Sequence, residues 1–154
     1  MTQIYVDADG CPVKDEVYRV AHRYGITVTV VSNKAFQIPP RDWIQRQIVG
    51  GELDAADDWI AEQAGEHDIV ITSDIPLADR CVKAGARVIT PRGRILDISS
   101  IGDVLATRNF MTSMRESGVE TGGAPPFQPR DRSRFLQKLD EVVNAIKREG
   151  SRGR

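Results

Sequence analysis

The chain has 154 residues and a mass of 17.1 kDa, with 40% hydrophobic and 28% charged residues. That composition excludes a wholly disordered or collagen-like chain, and the length suits one domain that buries its own core. The net charge of −1 conceals a division: residues 1–107 carry 11 Lys+Arg against 16 Asp+Glu, whereas residues 108–154 carry 10 against 6.

Ile4-Tyr5-Val6 is a short apolar run ending in Asp7 and reads as a buried strand. Pro12 suits the first turn of a helix, along which Val13, Val17, Val20, Ala21 and Tyr24 recur at helical spacing until Gly25 stops it. The β-branched run Ile26–Val31 predicts a second strand. Asn33–Asp42, with Pro39-Pro40, is loop, and Ile44–Val49 is read as a strand. After Gly50-Gly51, Asp54 is placed to cap a helix running through Trp59, Ile60 and Ala64, with Gly65 as its stop. Asp68–Thr72 is the clearest buried strand, followed by a helix from Pro76 to Ala84 and a strand over Arg87–Thr90, ended by Pro91-Arg92-Gly93. Ser100 is expected to cap a helix reaching Ser117. The last helix places Phe135, Leu139, Val142, Val143 and Ile146 on one face. Alternating strands and helices predict an α/β fold with a mainly parallel sheet, one domain over residues 1–150 and a frayed tail over 151–154.

Several chemistries drop out. Cys11 and Cys81 are far apart in sequence, and His22 and His67 are the only histidines, so neither a structural zinc site nor a disulfide framework is supported. Both cysteines read as small buried hydrophobes, and Trp43 and Trp59 as packing residues. No apolar run approaches the roughly 20 residues that span a bilayer, and the N-terminus lacks a basic leader, so a cytoplasmic location is expected.

What remains is acidic. Ligands of open α/β sheets bind outside the carboxyl ends of the strands, and carboxylates gather there. Asp7 and Asp9 follow the first strand; alternate residues of an extended segment point the same way, so a hard dication between them would relieve their repulsion. A solvated turn at Asp7-Ala8-Asp9-Gly10 is the competing account. Asp54, Asp57 and Asp58 share one helix face, where like charges repel. Capping and the helix dipole explain Asp54 well and Asp58 poorly. Asp74 follows the Asp68–Thr72 strand as either a helix cap or a site residue; Asp79 lies further along the same helix. Lys14, near these acids, is either a solvated lysine or a phosphate contact.

Taken together, Val6–Lys14, Leu53–Ile60, Ile71–Ala78 and Thr121–Phe127 with Arg130-Asp131-Arg132 resemble the signatures of the YaiI/YqxD family of uncharacterised bacterial proteins, over nearly the whole chain. Gly10 departs from it, standing where a second Ala is usual. The family is similar to the PIN and NYN nuclease fold, a three-layer α/β domain in which acids after parallel strands bind Mg²⁺ or Mn²⁺. The resemblance implies Asp7, Asp57 or Asp58, and Asp74 as metal ligands, with Asp9 an auxiliary carboxylate.

The leading expectation is therefore a metal-dependent, ribonuclease-like phosphodiester hydrolase acting on RNA or another nucleic acid. It would use Asp7, Asp9 and Asp74 in catalysis, with Lys14, Arg130, Arg132 and also Arg134 as candidate phosphate contacts. A solvated helix start explains those arginines equally well. One rival is a haloacid-dehalogenase-like phosphatase, with Asp7 as nucleophile, Asp9 as general acid/base, Ser32 ending the next strand, and Asp74 and Asp79 as the late acidic pair. Cys11 and the acidic helix at Asp54–Asp58 fit that scheme poorly. The other rival is a non-catalytic RNA-binding or regulatory module.

Overall fold

Apolar β-branched residues on both sides of a strand require cover on both faces of a sheet, and the computed structural model, which describes residues 2–119 and 125–152, is built around that requirement. Strand β1 (Gln3–Asp7) leads through α1 (Lys14–Tyr24) to β2 (Thr27–Ser32) and β3 (Ile44–Ile48). Helix α2 (Ala55–Gln63) then leads to β4 (Ile69–Ile71), α3 (Ile75–Lys83), β5 (Arg87–Ile89) and β6 (Ile95–Leu96). Helices α4 (Ile101–Glu116) and α5 (Pro129–Arg152) complete the fold. The six strands form one sheet in the order β3-β2-β1-β4-β5-β6. All neighbours are parallel except β5 and β6.

The sheet is the middle of three layers. Ile4, Val6, Val28, Val30, Ile69, Ile71 and Ile89 pack with Val13, Val17, Val20 and Ala21 of the α1 segment and Phe135, Leu139, Val142, Val143 and Ile146 of α5. On the opposite face Tyr5, Val31, Val70 and Val88 pack with Ile60 of α2, Leu77, Ala78, Cys81 and Val82 of α3, and Ile101 of α4. The alternation along β1 is the two-residue period of a strand. It continues to Asp7, which falls on the Tyr5 side, facing α2 and α3.

The α/β reading and its parallel sheet hold, and so does the strand at Ile44. Gly25 ends α1 in the left-handed conformation at φ 66°. Details of the caps differ from expectation. Pro12 lies ahead of α1, whose N-cap is Val13. Asp54 is the N-cap of α2 but adopts a left-handed φ of 65° and makes no side-chain cap bond. Helix α2 ends at Ala64 in an extended conformation, one residue before Gly65. Ser100 precedes α4 without capping it through its hydroxyl; instead Asp97 Oδ1 accepts from the Ser99 and Ser100 amides at 3.0 and 2.9 Å. The two-residue strand β6 is not legible in the sequence, because so short a segment carries no readable period. Thr121 to Ala124 and residues 153–154 lie outside the described residues, and α5 runs on through Arg152.

The chain order creates the site. From β1 the chain builds outward to β2 and β3, then returns to the other side of β1 as β4. The carboxyl ends of β1 and β4 therefore flank the point where the order reverses, where loops splay and a crevice opens.

Candidate acidic site at the sheet switch point

Three separate stretches of chain deliver carboxylates to this crevice. Asp7 ends β1, Asp74 lies three residues beyond the end of β4, and Asp57 sits in the first turn of α2. Together with Asp9, Asn33, Glu52, Asp54 and Ser73 they line one open cavity of about 340 Å³.

Side-chain bonds hold the acids in place. The Thr72 hydroxyl, buried at the end of β4, donates to Asp7 Oδ2 at 2.8 Å and accepts from the Asp74 amide at 3.0 Å. One side chain thus fixes both the carboxylate after β1 and the backbone that presents Asp74. Asp74 Oδ1 in turn accepts from the Leu77 amide at 3.0 Å, so the residue does cap α3 while its other oxygen is uncommitted to that bond. Ser32, buried at the end of β2, donates to Asp9 Oδ1 at 3.5 Å and accepts from the Lys34 amide. Tyr5 packs edge-on against Trp59, with ring centroids 5.9 Å apart, and anchors the α2 turn that carries Asp57.

The crowding has an electrostatic signature. Burial raises the Asp7 carboxyl above its ordinary value; the Thr72 hydrogen bond opposes this, and Asp74 and Asp9 add to it. Asp57 is pushed up to about 6, first by burial and then by Asp74, Asp7 and Asp54, with Arg80 pulling weakly the other way. Carboxylates that raise one another in this manner suit a hard cation. The donor type fits Mg²⁺ or Mn²⁺. Among the described residues, however, no three acidic, histidine or cysteine side chains form a ready-made cation shell. Mg²⁺ retains several waters and needs only one or two direct carboxylates, which Asp7, Asp57 and Asp74 can supply.

The structure brings together Asp7, Asp9, Asp54, Asp57 and Asp74 and places the other candidates outside their cavity. Asp58 turns to the next cavity and pairs with Arg80 at 2.7 Å. Asp79 pairs with Lys83 at 3.0 Å and lines neither cavity, so the phosphatase scheme lacks its second late acid. Lys14, at the start of α1, lines neither. Arg130 is exposed outside both cavities. Arg132 points to the body of the protein, donating to Glu16 Oε1 at 2.7 Å and to the Pro12 carbonyl at 2.9 Å. Arg134 lies 3.9 Å from Asp131. The sequence reading missed Thr72, Asn33 and Glu52. A threonine two residues before Asp74 was the available signal for the first. Burial raises the Cys11 thiol and pushes Cys81 up to about 12, which disfavours the thiolate at both.

This arrangement can be set beside known proteins. The family model described as "Uncharacterized BCR, YaiI/YqxD family" matches residues 5–145. The chain belongs to the YaiI/YqxD family. A "UPF0178 protein" of Nitrobacter winogradskyi is 58% identical over 146 residues, covering 95% of this chain and 93% of the relative. Relatives from Rhodopseudomonas palustris (strain BisB18) and Bradyrhizobium diazoefficiens are 54% and 55% identical, each over 96% of this chain and over 95% and 88% of their own lengths. These YaiI/YqxD relatives are bacterial, and no described helix of this one is long and apolar enough to cross a membrane.

Proposed function

We propose that this protein is a metal-dependent phosphodiester hydrolase acting on RNA or a related nucleic acid. The observation that carries the reading is the convergence of Asp7, Asp57 and Asp74 from three chain segments on one cavity at the sheet's switch point. The parallel sheet with acids after β1 and β4 is compatible with the PIN and NYN nuclease fold that the resemblance implied.

Asp7, Asp57 and Asp74 would hold Mg²⁺ or Mn²⁺. When bound, such an ion supplies an activated water and neutralises charge developing on the phosphate oxygens. The chain's own residues do the positioning. Thr72 locks Oδ2 of Asp7, whose side chain lines the cavity. Asp74 is oriented by its bond to the α3 amide. Asp9, more exposed and tethered to Ser32, is placed to accept a proton from water at the cavity mouth. Arg80 holds Asp58 aside, which leaves Asp57 as the α2 acid that faces Asp7 and Asp74.

Purified protein is expected to cleave single-stranded RNA with Mn²⁺ and not with EDTA. Asp7→Asn and Asp74→Asn should each reduce the rate at least 100-fold while leaving the fold intact by circular dichroism. Undiminished cleavage by the double variant would put the activity elsewhere. Metal-independent binding of RNA with no cleavage would make the protein a binding module instead.

A further inference from the structure

We propose that Arg108, backed by Arg80, is a phosphate-contact subsite, along which a nucleic-acid strand enters the acidic cavity from the α3–α4 side. The inference rests on the hydrolase reading of that cavity and adds where its substrate lies.

The acidic cavity does not stand alone. Asp54, Asp57 and Asp74 also line a second cavity of about 270 Å³, completed by Asp58, Pro76, Leu77, Arg80 and Arg108. Two compartments sharing a wall suit two neighbouring phosphodiester groups of one strand, one among the carboxylates and the next beside the guanidinium groups. The two arginines are not equivalent. Arg80 spends one nitrogen on Asp58 at 2.7 Å. Arg108 bonds only the amide oxygen of its neighbour Asn109, at 3.3 Å, and among the described residues it makes no ion pair. A planar guanidinium with its donors uncommitted is matched to a phosphate.

The opposite flank offers less. Arg132 is occupied by Glu16 and the Pro12 carbonyl, and Arg92 and Arg134 both lie against Asp131. Helix α4 supplies Arg108 to the second cavity and packs on α3. That origin also explains why residue spacing gave no hint of it: Arg108 is remote in sequence from every acid of the cavity.

Arg108 has a simpler possible duty, as a counter-charge that calms the acids. The two roles predict opposite signs. Removing a counter-charge next to a cation site tightens cation binding and, through it, strand binding. Removing a phosphate contact weakens strand binding even as the cation binds more tightly.

The experiment measures fluorescence anisotropy of a 5′-labelled single-stranded RNA 12-mer on the full chain, with Ca²⁺ as the cation, across a salt series. Arg108→Ala should weaken binding about tenfold. It should flatten the slope of log affinity against log salt by about 0.7, the loss of one phosphate contact on a single strand. Arg108→Lys should keep the slope and lose part of the affinity. Arg130→Ala should bind as the wild type does. Equal or tighter binding by Arg108→Ala overturns the subsite, as does weakening confined to Arg130→Ala or absence of RNA binding by the wild type. Loss of binding in Arg108→Ala by a protein that never cleaves supports the subsite while removing the hydrolase reading. Asp7-dependent cleavage with normal binding in Arg108→Ala does the reverse.

Discussion

Asp57 ties the acidic site to stability. Its carboxyl titrates at about 6 in the folded chain, against 3.8 for an unperturbed Asp. The folded state therefore holds a proton that the unfolded state has released, and stability falls as pH rises through that interval. The contribution of Asp57 is fully present below about pH 4 and is lost as pH passes 6. Asp57→Asn should accordingly be more stable than the wild type at pH 7.5, by roughly 1 kcal/mol once solvent screening of this half-exposed group is allowed for. The gain should vanish near pH 4. Urea midpoints at the two pH values test this, and a pH-independent difference would detach Asp57 from the cluster. Arg132 presents the contrary case. Glu16 is buried, and its second oxygen has no hydrogen-bond partner. Arg132→Ala would leave a buried carboxylate unpaired and should cost about 2–4 kcal/mol, read as a fall in thermal midpoint. A residue serving only as a substrate contact would cost almost nothing.

At the scale of elements, the turn Pro91–Arg94 shows how tightly helix and sheet meet. Gly93 has φ +88°, and a Cβ there would lie 2.9 Å from both the Arg134 carbonyl carbon and the Phe135 amide nitrogen. Those are backbone atoms of α5 and cannot swing aside. Gly93→Ala should therefore destabilise by about 2–4 kcal/mol, from left-handed strain plus displacement of α5; thermal unfolding that matches the wild type would show that the turn can yield. Elements of this kind divide what the amino-acid order reveals from what it hides. Strands β1 and β4 and the apolar stripe of α5 are legible because burial on known faces imposes a period. So is Asp74, delivered by a buried strand to the start of a helix. Strand β6 and the left-handed Asp54 are not, since each depends on what a neighbouring segment does. Thr72 was legible only as a strand residue. Its second task, linking Asp7 to Asp74, exists because β1 and β4 pair in the register Val6↔Ile71. Arg108 was invisible for the same reason, as α4 meets the site only after packing on α3.

Across the whole molecule, the charge division of the sequence takes on a different geography. Six of the 16 acids of residues 1–107 line the cavity at the switch point: Asp7, Asp9, Glu52, Asp54, Asp57 and Asp74. Three cations of residues 108–154 stand in different places: Arg132 is bound into the body of the protein, Arg134 lies against Asp131, and Arg108 stands at the second cavity. Net charge by segment therefore does not say where on the folded chain each cation stands.

The sheet's α1 face has a consequence for how the chain is made. Ile4, Val6, Ile69, Ile71 and Ile89 are all present once the first five strands have been synthesised, yet their cover includes Phe135, Leu139, Val142, Val143 and Ile146. At about 5–20 residues per second, ribosomes need several seconds to travel from Ile89 to Ile146. During that interval a half-covered parallel sheet waits on the nascent chain, an apolar surface that a chaperone can recognise and that a stalled or prematurely ended product would never bury.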